Sequence, residues 1–134
     1  MIKTQILARA REENRVVLTE IEAKQMLTEA GINCTETLLG TSREHAVSIS
    51  ESMGYPVVLK VSSVEISHKS DSGGVKVNLT DKASVEKAYD EILQSCRASV
   101  PDAFIEGVSV QPMARKGTEI IMGMNRDTNF GPVI

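Results

Sequence analysis

Lys60 stands inside the apolar run Pro56-Val-Val-Leu-Lys-Val61. A charged residue in such a run needs a reason. Its stem packs among apolar neighbours while its ammonium must emerge, and a phosphate is a good partner for that compact point charge. The plainer alternative is a lysine snorkelling from an edge strand. Next along the chain comes Ser67-His68-Lys69-Ser70-Asp71-Ser72-Gly73-Gly74. Gly73 and Gly74 let backbone N–H groups approach an anion, because no Cβ intervenes. Their spacing matches neither GxGxxG nor GxxxxGK[ST], and a glycine hairpin between two strands would explain them equally well. His68 has a side chain that can serve as nucleophile, base or phosphate carrier, or be simply solvated. In Val108-Ser-Val-Gln-Pro-Met113, Gln111-Pro112 interrupts a strand and removes a ladder donor. Exposed backbone at such a hinge can bond an adenine edge, with Val and Met around the ring; a strand-ending turn is the bland reading. Glu119 follows shortly after. His45 falls on a helix among polar residues and reads as surface.

The elements that must hold these residues are partly legible. A helix is expected over residues 2–13, with Ile2, Ile6, Leu7 and Ala10 on one side and Asn14 just past its end. Thr19 and Glu22 have capping-box spacing. Ala23, Met26, Leu27 and Ala30 then mark an inner stripe ending at Gly31. A short strand is expected at 35–39. A helix from Thr41, with Glu44 as capping partner, carries Ala46, Ile49, Ser50 and Met53 inward and stops at Gly54. Strands follow at 56–61 and 75–79, the latter placing Val75, Val77 and Leu79 on one face. Val85, Ala88, Tyr89, Ile92, Leu93 and Cys96 make the clearest helical stripe in the chain. The last third reads as strands at 105–113 and 118–125, with a hairpin turn at Arg115-Lys116-Gly117 and another strand opening at Gly131. Helices mixed with antiparallel hairpins predict an α+β (mixed α/β) fold.

The 134 residues allow one domain, at about 100–200 residues each. Hydrophobic residues at 41% and charged residues at 25% suit a globular chain and exclude a disordered one. Aromatics are 3% with no Trp, which argues against base-stacking recognition of single-stranded nucleic acid. A net charge of −3 and no basic stripe make a phosphate-backbone footprint unexpected, so no nucleic-acid partner is predicted. No apolar stretch reaches the roughly 18 residues of a membrane span, and residues 1–15 lack a secretory h-region. Cys34 and Cys96 are too few for a disulfide framework and show no metal-ligand spacing; free thiols in a cytoplasmic setting are expected. The ending Asn129-Phe-Gly-Pro-Val-Ile134 reads as an apolar strand cut short on its way into a core.

Taken together the chain resembles an ATP-grasp domain, and more closely the β-subunit type of ADP-forming acetyl-CoA (acyl-CoA) synthetases. The matching stretches are Leu18-Thr-Glu-Ile-Glu-Ala-Lys24 with Ala30-Gly-Ile32, Gly54-Tyr-Pro-Val-Val-Leu-Lys60 and Ile66-Ser-His-Lys-Ser-Asp-Ser-Gly-Gly-Val75. Val110-Gln-Pro-Met113, Gly117-Thr-Glu-Ile-Ile-Met-Gly123, Arg126-Asp127 and Phe130-Gly-Pro-Val-Ile134 complete the set. The Gly-Tyr-Pro-Val-Val-Leu-Lys segment is common to many ATP-grasp enzymes; the His-Lys-Ser-Asp-Ser-Gly-Gly-Val segment points to the subfamily.

The resemblance implies roles. Lys60 would contact the phosphates of ATP or ADP. Gly73, Gly74 and Val75 would belong to a flexible loop closing over them. Gln111, Pro112 and Met113 would form the adenine hinge, with Glu119 near the ribose. His68 would relay phosphate between ADP and a phosphohistidine on a CoA-binding partner subunit or domain. The implied reaction is acyl-CoA + ADP + phosphate ⇌ carboxylic acid + CoA + ATP. Residues 1–134 would be the first lobe, with the acidic Mg²⁺ ligands expected beyond residue 134. Two other readings stand beside this one: a regulatory ATP-grasp-like module of an acetyltransferase, and a generic ATP-grasp carboxylate ligase, which would not need His68.

Overall fold

A computed structural model describes residues 1–134. Helix α1 (Ile2–Glu12) and helix α2 (Glu20–Glu29) form an N-terminal pair. Both end in the same way. Asn14, at φ 52°, follows α1 and Gly31, at φ 84°, follows α2. Arg15 N–H donates to Ala10 O and Ile32 N–H to Leu27 O, which closes a Schellman motif at each end. The expected capping box opens α2: Thr19 Oγ1 accepts from Glu22 N–H, and the Glu22 carboxylate accepts from Thr19 N–H at 2.9 Å. Glu22 also ties the two helices together. It is buried and accepts hydrogen bonds from Arg9 and Arg15. Burial pushes its pKa upward, but the hydrogen bonds from Arg15, from Thr19 N–H and from Arg9 win and hold it down at about 2.

The remaining elements are β1 (Leu38–Gly40), α3 (Arg43–Met53), β2 (Val57–Ser62), β3 (Val75–Leu79), α4 (Lys82–Ser99), β4 (Gly107–Pro112), β5 (Asn125–Asp127) and β6 (Gly131–Val133). Four strands form a sheet in the order β1-β4-β2-β3, with every neighbouring pair antiparallel. This is the α+β architecture expected. Helices α3 and α4 cover one face. Val57, Leu59 and Val61 of β2 and Val108 and Val110 of β4 meet Ala46, Val85, Ile92 and Cys96 there, all fully buried. No helix is long and apolar enough to cross a membrane.

Several expectations change. The N-cap of α3 is Ser42, whose Oγ accepts from His45 N–H, rather than Thr41. The stripe on α2 does not face a core: Leu27 is exposed and Glu22 is the helix's one buried residue. Val75, Val77 and Leu79 do not share a face. Leu79 pairs with Val57 but Lys76 pairs with Leu59, so β3 carries one extra residue, with Asn78 at φ 56° in the bulge. Leu79 therefore joins the core while Val75 lies opposite Lys60 on the other face. Residues 118–124 form no strand, and no hairpin turn forms at 115–117. The reason is topological: β4 is already paired on both sides, by β1 and β2, so no ladder is open to the following segment. Ile120, Ile121 and Met122 stand in solvent. β5 and β6 instead make a small separate hairpin, whose turn is held by Asp127 Oδ1 accepting from Asn129 and Phe130 N–H.

Candidate functional site

The face of the sheet away from α3 and α4 carries polar side chains. Lys60 pairs with Ser109 and Val58 with Gln111 across the β2–β4 ladder, so Lys60 and Gln111 share this face two register positions apart. At about 3.3 Å per residue that spacing is roughly 7 Å along the strand. β2 lies between β4 and β3, which removes the edge-strand explanation of Lys60.

The N-terminal turn of α2 crosses this face. Lys60 Nζ donates to Glu20 Oε1 at 2.9 Å, and Lys24 Nζ lies 3.0 Å from the same oxygen. Lys69 Nζ reaches the other oxygen, Oε2, at 3.9 Å. Lys24 Nζ also donates to Gln111 Oε1 at 2.9 Å and to Thr37 Oγ1 at 2.8 Å. One carboxylate is thus surrounded by three ammonium groups, and the chain Lys69–Glu20–Lys24–Gln111 runs along the face. Burial pulls the Glu20 carboxyl upward, but the hydrogen bonds and charges of Lys60 and Lys24 outweigh it and leave it below the ordinary range. Burial lowers the Lys69 pKa; Glu20 opposes that, and Lys60 and Lys24 add to it.

Beside this network opens a cleft of about 480 Å³ lined by Glu20, Lys60, Ser67, His68, Lys69, Ser70, Asp71 and Val75. The loop from Ser63 to Gly74 forms its wall, and local chemistry sets the loop's shape. Ser72 N–H donates to His68 O, Gly73 N–H to Ser70 O and Gly74 N–H to Lys69 O at 2.6 Å. These bonds make a single helical turn closed by Gly73 at φ 70°. Gly74 is buried and pressed inward: a Cβ there would meet Val61 Cγ1 at 2.6 Å and Lys69 O at 2.9 Å. The glycine pair therefore fastens the loop to β2 and α4 and turns Lys69 and His68 toward the cleft. His68 is 84% exposed, with Nδ1 4.0 Å from Asp71 Oδ2.

The sequence-predicted residues separate into groups. Lys60, His68 and Val75 line one cleft. Gly73 and Gly74 stand behind it. Gln111 lies farther along the same face, followed by Pro112, the last residue of β4. Met113 is exposed, and its N–H donates to Pro56 O at 3.0 Å. Glu119 is exposed and lines neither this cleft nor its neighbours. Sequence reasoning missed Glu20, Lys24 and the part played by Lys69. One signal for the first two was available: a lysine in an apolar strand needs a counter-charge, and Glu20 and Lys24 are one helical turn apart in a helix predicted nearby.

Two ammonium groups and an exposed imidazole meet at one open cleft, a set of side chains whose chemistry suits a phosphate-bearing anion. The residues do not form a metal site. No group of three His, Cys, Asp or Glu side chains is placed to hold an ion, and the one carboxylate at the cleft's centre is taken up by lysines.

A family model described as an ATP-grasp domain matches residues 9–134. The chain belongs to the ATP-grasp domain family. The beta subunit of an ADP-forming acetate–CoA ligase I from Pyrococcus furiosus is 42% identical over 130 residues, covering 97% of this chain and 56% of that subunit. An ADP-forming 4-hydroxybutyrate–CoA ligase from Nitrosopumilus maritimus is 38% identical over 129 residues, covering 96% of this chain and 18% of that protein. Among solved structures, a dinucleotide-forming acetyl-coenzyme A synthetase 1 from Candidatus Korarchaeum cryptofilum, in complex with coenzyme A, Ca-AMPCP and HgCl⁺, superposes with a TM-score of 0.94 at 46% identity. That match covers 97% of this chain and 57% of the other. The chain thus spans a little over half the length of the Pyrococcus subunit and of the Korarchaeum chain.

Proposed function

We propose that this chain supplies the nucleotide-binding first lobe of an ADP-forming acyl-CoA synthetase, which converts acyl-CoA, ADP and phosphate to a carboxylic acid, CoA and ATP. The observation that carries the reading is the convergence of Lys60, Lys69 and His68 on one cleft. Lys60 and Lys69 hold the phosphates of ADP. Gln111, Pro112 and Met113 form the adenine end of the same face. Gly73 and Gly74 anchor the loop that presents Lys69 and His68 to the phosphates, and Val75 lines the same cleft.

His68 carries the phosphoryl group. A ring nitrogen attacks the phosphorus of a phosphohistidine on a CoA-binding partner subunit or domain, and the partner's imidazole leaves. The terminal oxygen of ADP then attacks the His68 phosphoramidate, forming ATP and freeing the imidazole. The lysines neutralise charge on the phosphates as the two anions approach. Mg²⁺, when bound, would supply further charge neutralisation at the phosphates. Residues 1–134 hold no group of three His, Cys, Asp or Glu side chains placed to bind it.

The test uses the full-length enzyme with its partner, incubated with terminally labelled ATP and Mg²⁺. Acid-labile phosphohistidine is expected on this chain and absent in His68→Ala. A label persisting on this chain in that variant would remove His68 from the relay.

A further inference from the structure

We propose that Glu20 is a built-in counter-ion that competes with the nucleotide's phosphates for Lys60 and Lys69, a positioning residue that sets nucleotide affinity and holds the empty cleft in register. This rests on the nucleotide-binding reading above and goes beyond it, because Glu20 carries the same sign of charge as the ligand it helps to admit.

The geometry carries the argument. Glu20 Oε1 accepts from Lys60 Nζ at 2.9 Å, and Oε2 faces Lys69 Nζ at 3.9 Å. Both lysines line the cleft together with Glu20 itself. The two amines assigned to phosphate are therefore already turned toward an anion. Without that carboxylate, Lys60 and Lys69 would lie side by side with like charge, in a partly buried setting where repulsion is poorly screened. Glu20 therefore fixes both ammonium groups in the empty site, which limits the ordering cost of binding. When a phosphate enters, it takes a share of each lysine. Glu20 keeps Lys24, its neighbour one helical turn away at 3.0 Å. Lys24 in turn donates to Gln111, so the exchange at the phosphate end is connected to the adenine end through α2.

This arrangement predicts an outcome opposite to that of an ordinary supporting residue. Losing a support weakens binding. Losing an internal competitor strengthens it, while loosening the lysines and slowing turnover. In the full-length enzyme with its partner, Glu20→Gln and Glu20→Ala are each expected to tighten ADP binding about threefold to tenfold by calorimetry and to lower kcat, so that KM and kcat fall together. Glu20 occupies the first turn of α2 and is not its cap, so either variant keeps the Thr19–Glu22 capping box; a thermal melt identifies which is folded, and one folded variant suffices. ADP affinity unchanged or weakened in a folded variant overturns the proposal. Lys60→Ala separates the two levels of inference. If it leaves ADP binding intact, the nucleotide site itself is misplaced. If it weakens binding while Glu20→Gln does not tighten it, only the role of Glu20 falls.

Discussion

The two faces of strand β2 come from one alternating run of residues and do opposite things. Val57, Leu59 and Val61 point toward α3 and α4 and are completely buried. Val58, Lys60 and Ser62 point the other way, and Lys60 ends among carboxylate and amines at an open cleft. The first face is closed by two helices whose apolar stripes match it. The second is crossed by the end of one helix that brings Glu20 and Lys24. One period-2 pattern thus builds a dry, non-directional contact on one side and a directional, ion-paired one on the other. Stability should reside mainly in the first face and ligand binding in the second.

That division can be tested by substituting neighbours. Leu59→Ala should have the largest effect, about 2–5 kcal/mol of lost stability in denaturant unfolding, because it opens a cavity at a fully buried position. Lys60→Ala, one residue on, should reverse the pattern. Its unfolding free energy should shift by no more than about 1 kcal/mol, since its ion pair is partly solvated. ADP binding should weaken by about 1.5–3 kcal/mol, the range of a hydrogen bond to a charged group. If Lys60→Ala unfolds the protein as readily as Leu59→Ala, the two faces are not functionally distinct. Gly74→Ala tests the seam between them. The added methyl strikes Val61 on the core side and the Lys69 carbonyl on the loop side. A loss of about 1–3 kcal/mol in stability is expected from overpacking, together with weaker ADP binding as Lys69 shifts. The smallest effect is a pH dependence. Glu20 has a folded-state pKa below its ordinary 4.5, so the folded state binds fewer protons there than the unfolded chain. Its contribution is complete above pH 4.5 and is lost as pH falls through the depressed value. In Glu20→Gln that part of the acid-side slope should vanish, a change of about 1 kcal/mol for a partly solvated pair.

Local signals read well from the sequence. The capping box at Thr19 and Glu22, the αL residues Asn14 and Gly31, and the stripe from Val85 to Cys96 are all where spacing places them. Each depends on contacts within a few residues. The misread elements depend on partners far away. Residues 118–124 have the composition of a strand, but a strand needs a free ladder, and β1 had taken it. Val77 has the spacing of a core residue, but one inserted residue at the Asn78 bulge turned it outward. The stripe on α2 has helical period, yet Leu27 and Ala30 stay exposed and Ala23 and Met26 are only half-buried.

The site divides in the same way. The sequence alone named Lys60, His68 and Gln111, since a charge inside an apolar run, a histidine in a glycine-ended loop and a proline at a strand's end are anomalies of local chemistry. Val75 and the family came from resemblance, carried above all by the stretches Gly54–Lys60 and Ile66–Val75. Only the tertiary structure decided what the lysine faces. Glu20 is 40 residues from Lys60 in sequence, and Gln111 is 87 from Lys24. Sheet register and the angle of α2 bring them within hydrogen-bonding distance. A counter-ion is chosen by position in space, and neither its charge nor its spacing along the chain reveals which of the 18 acidic residues will fill that role.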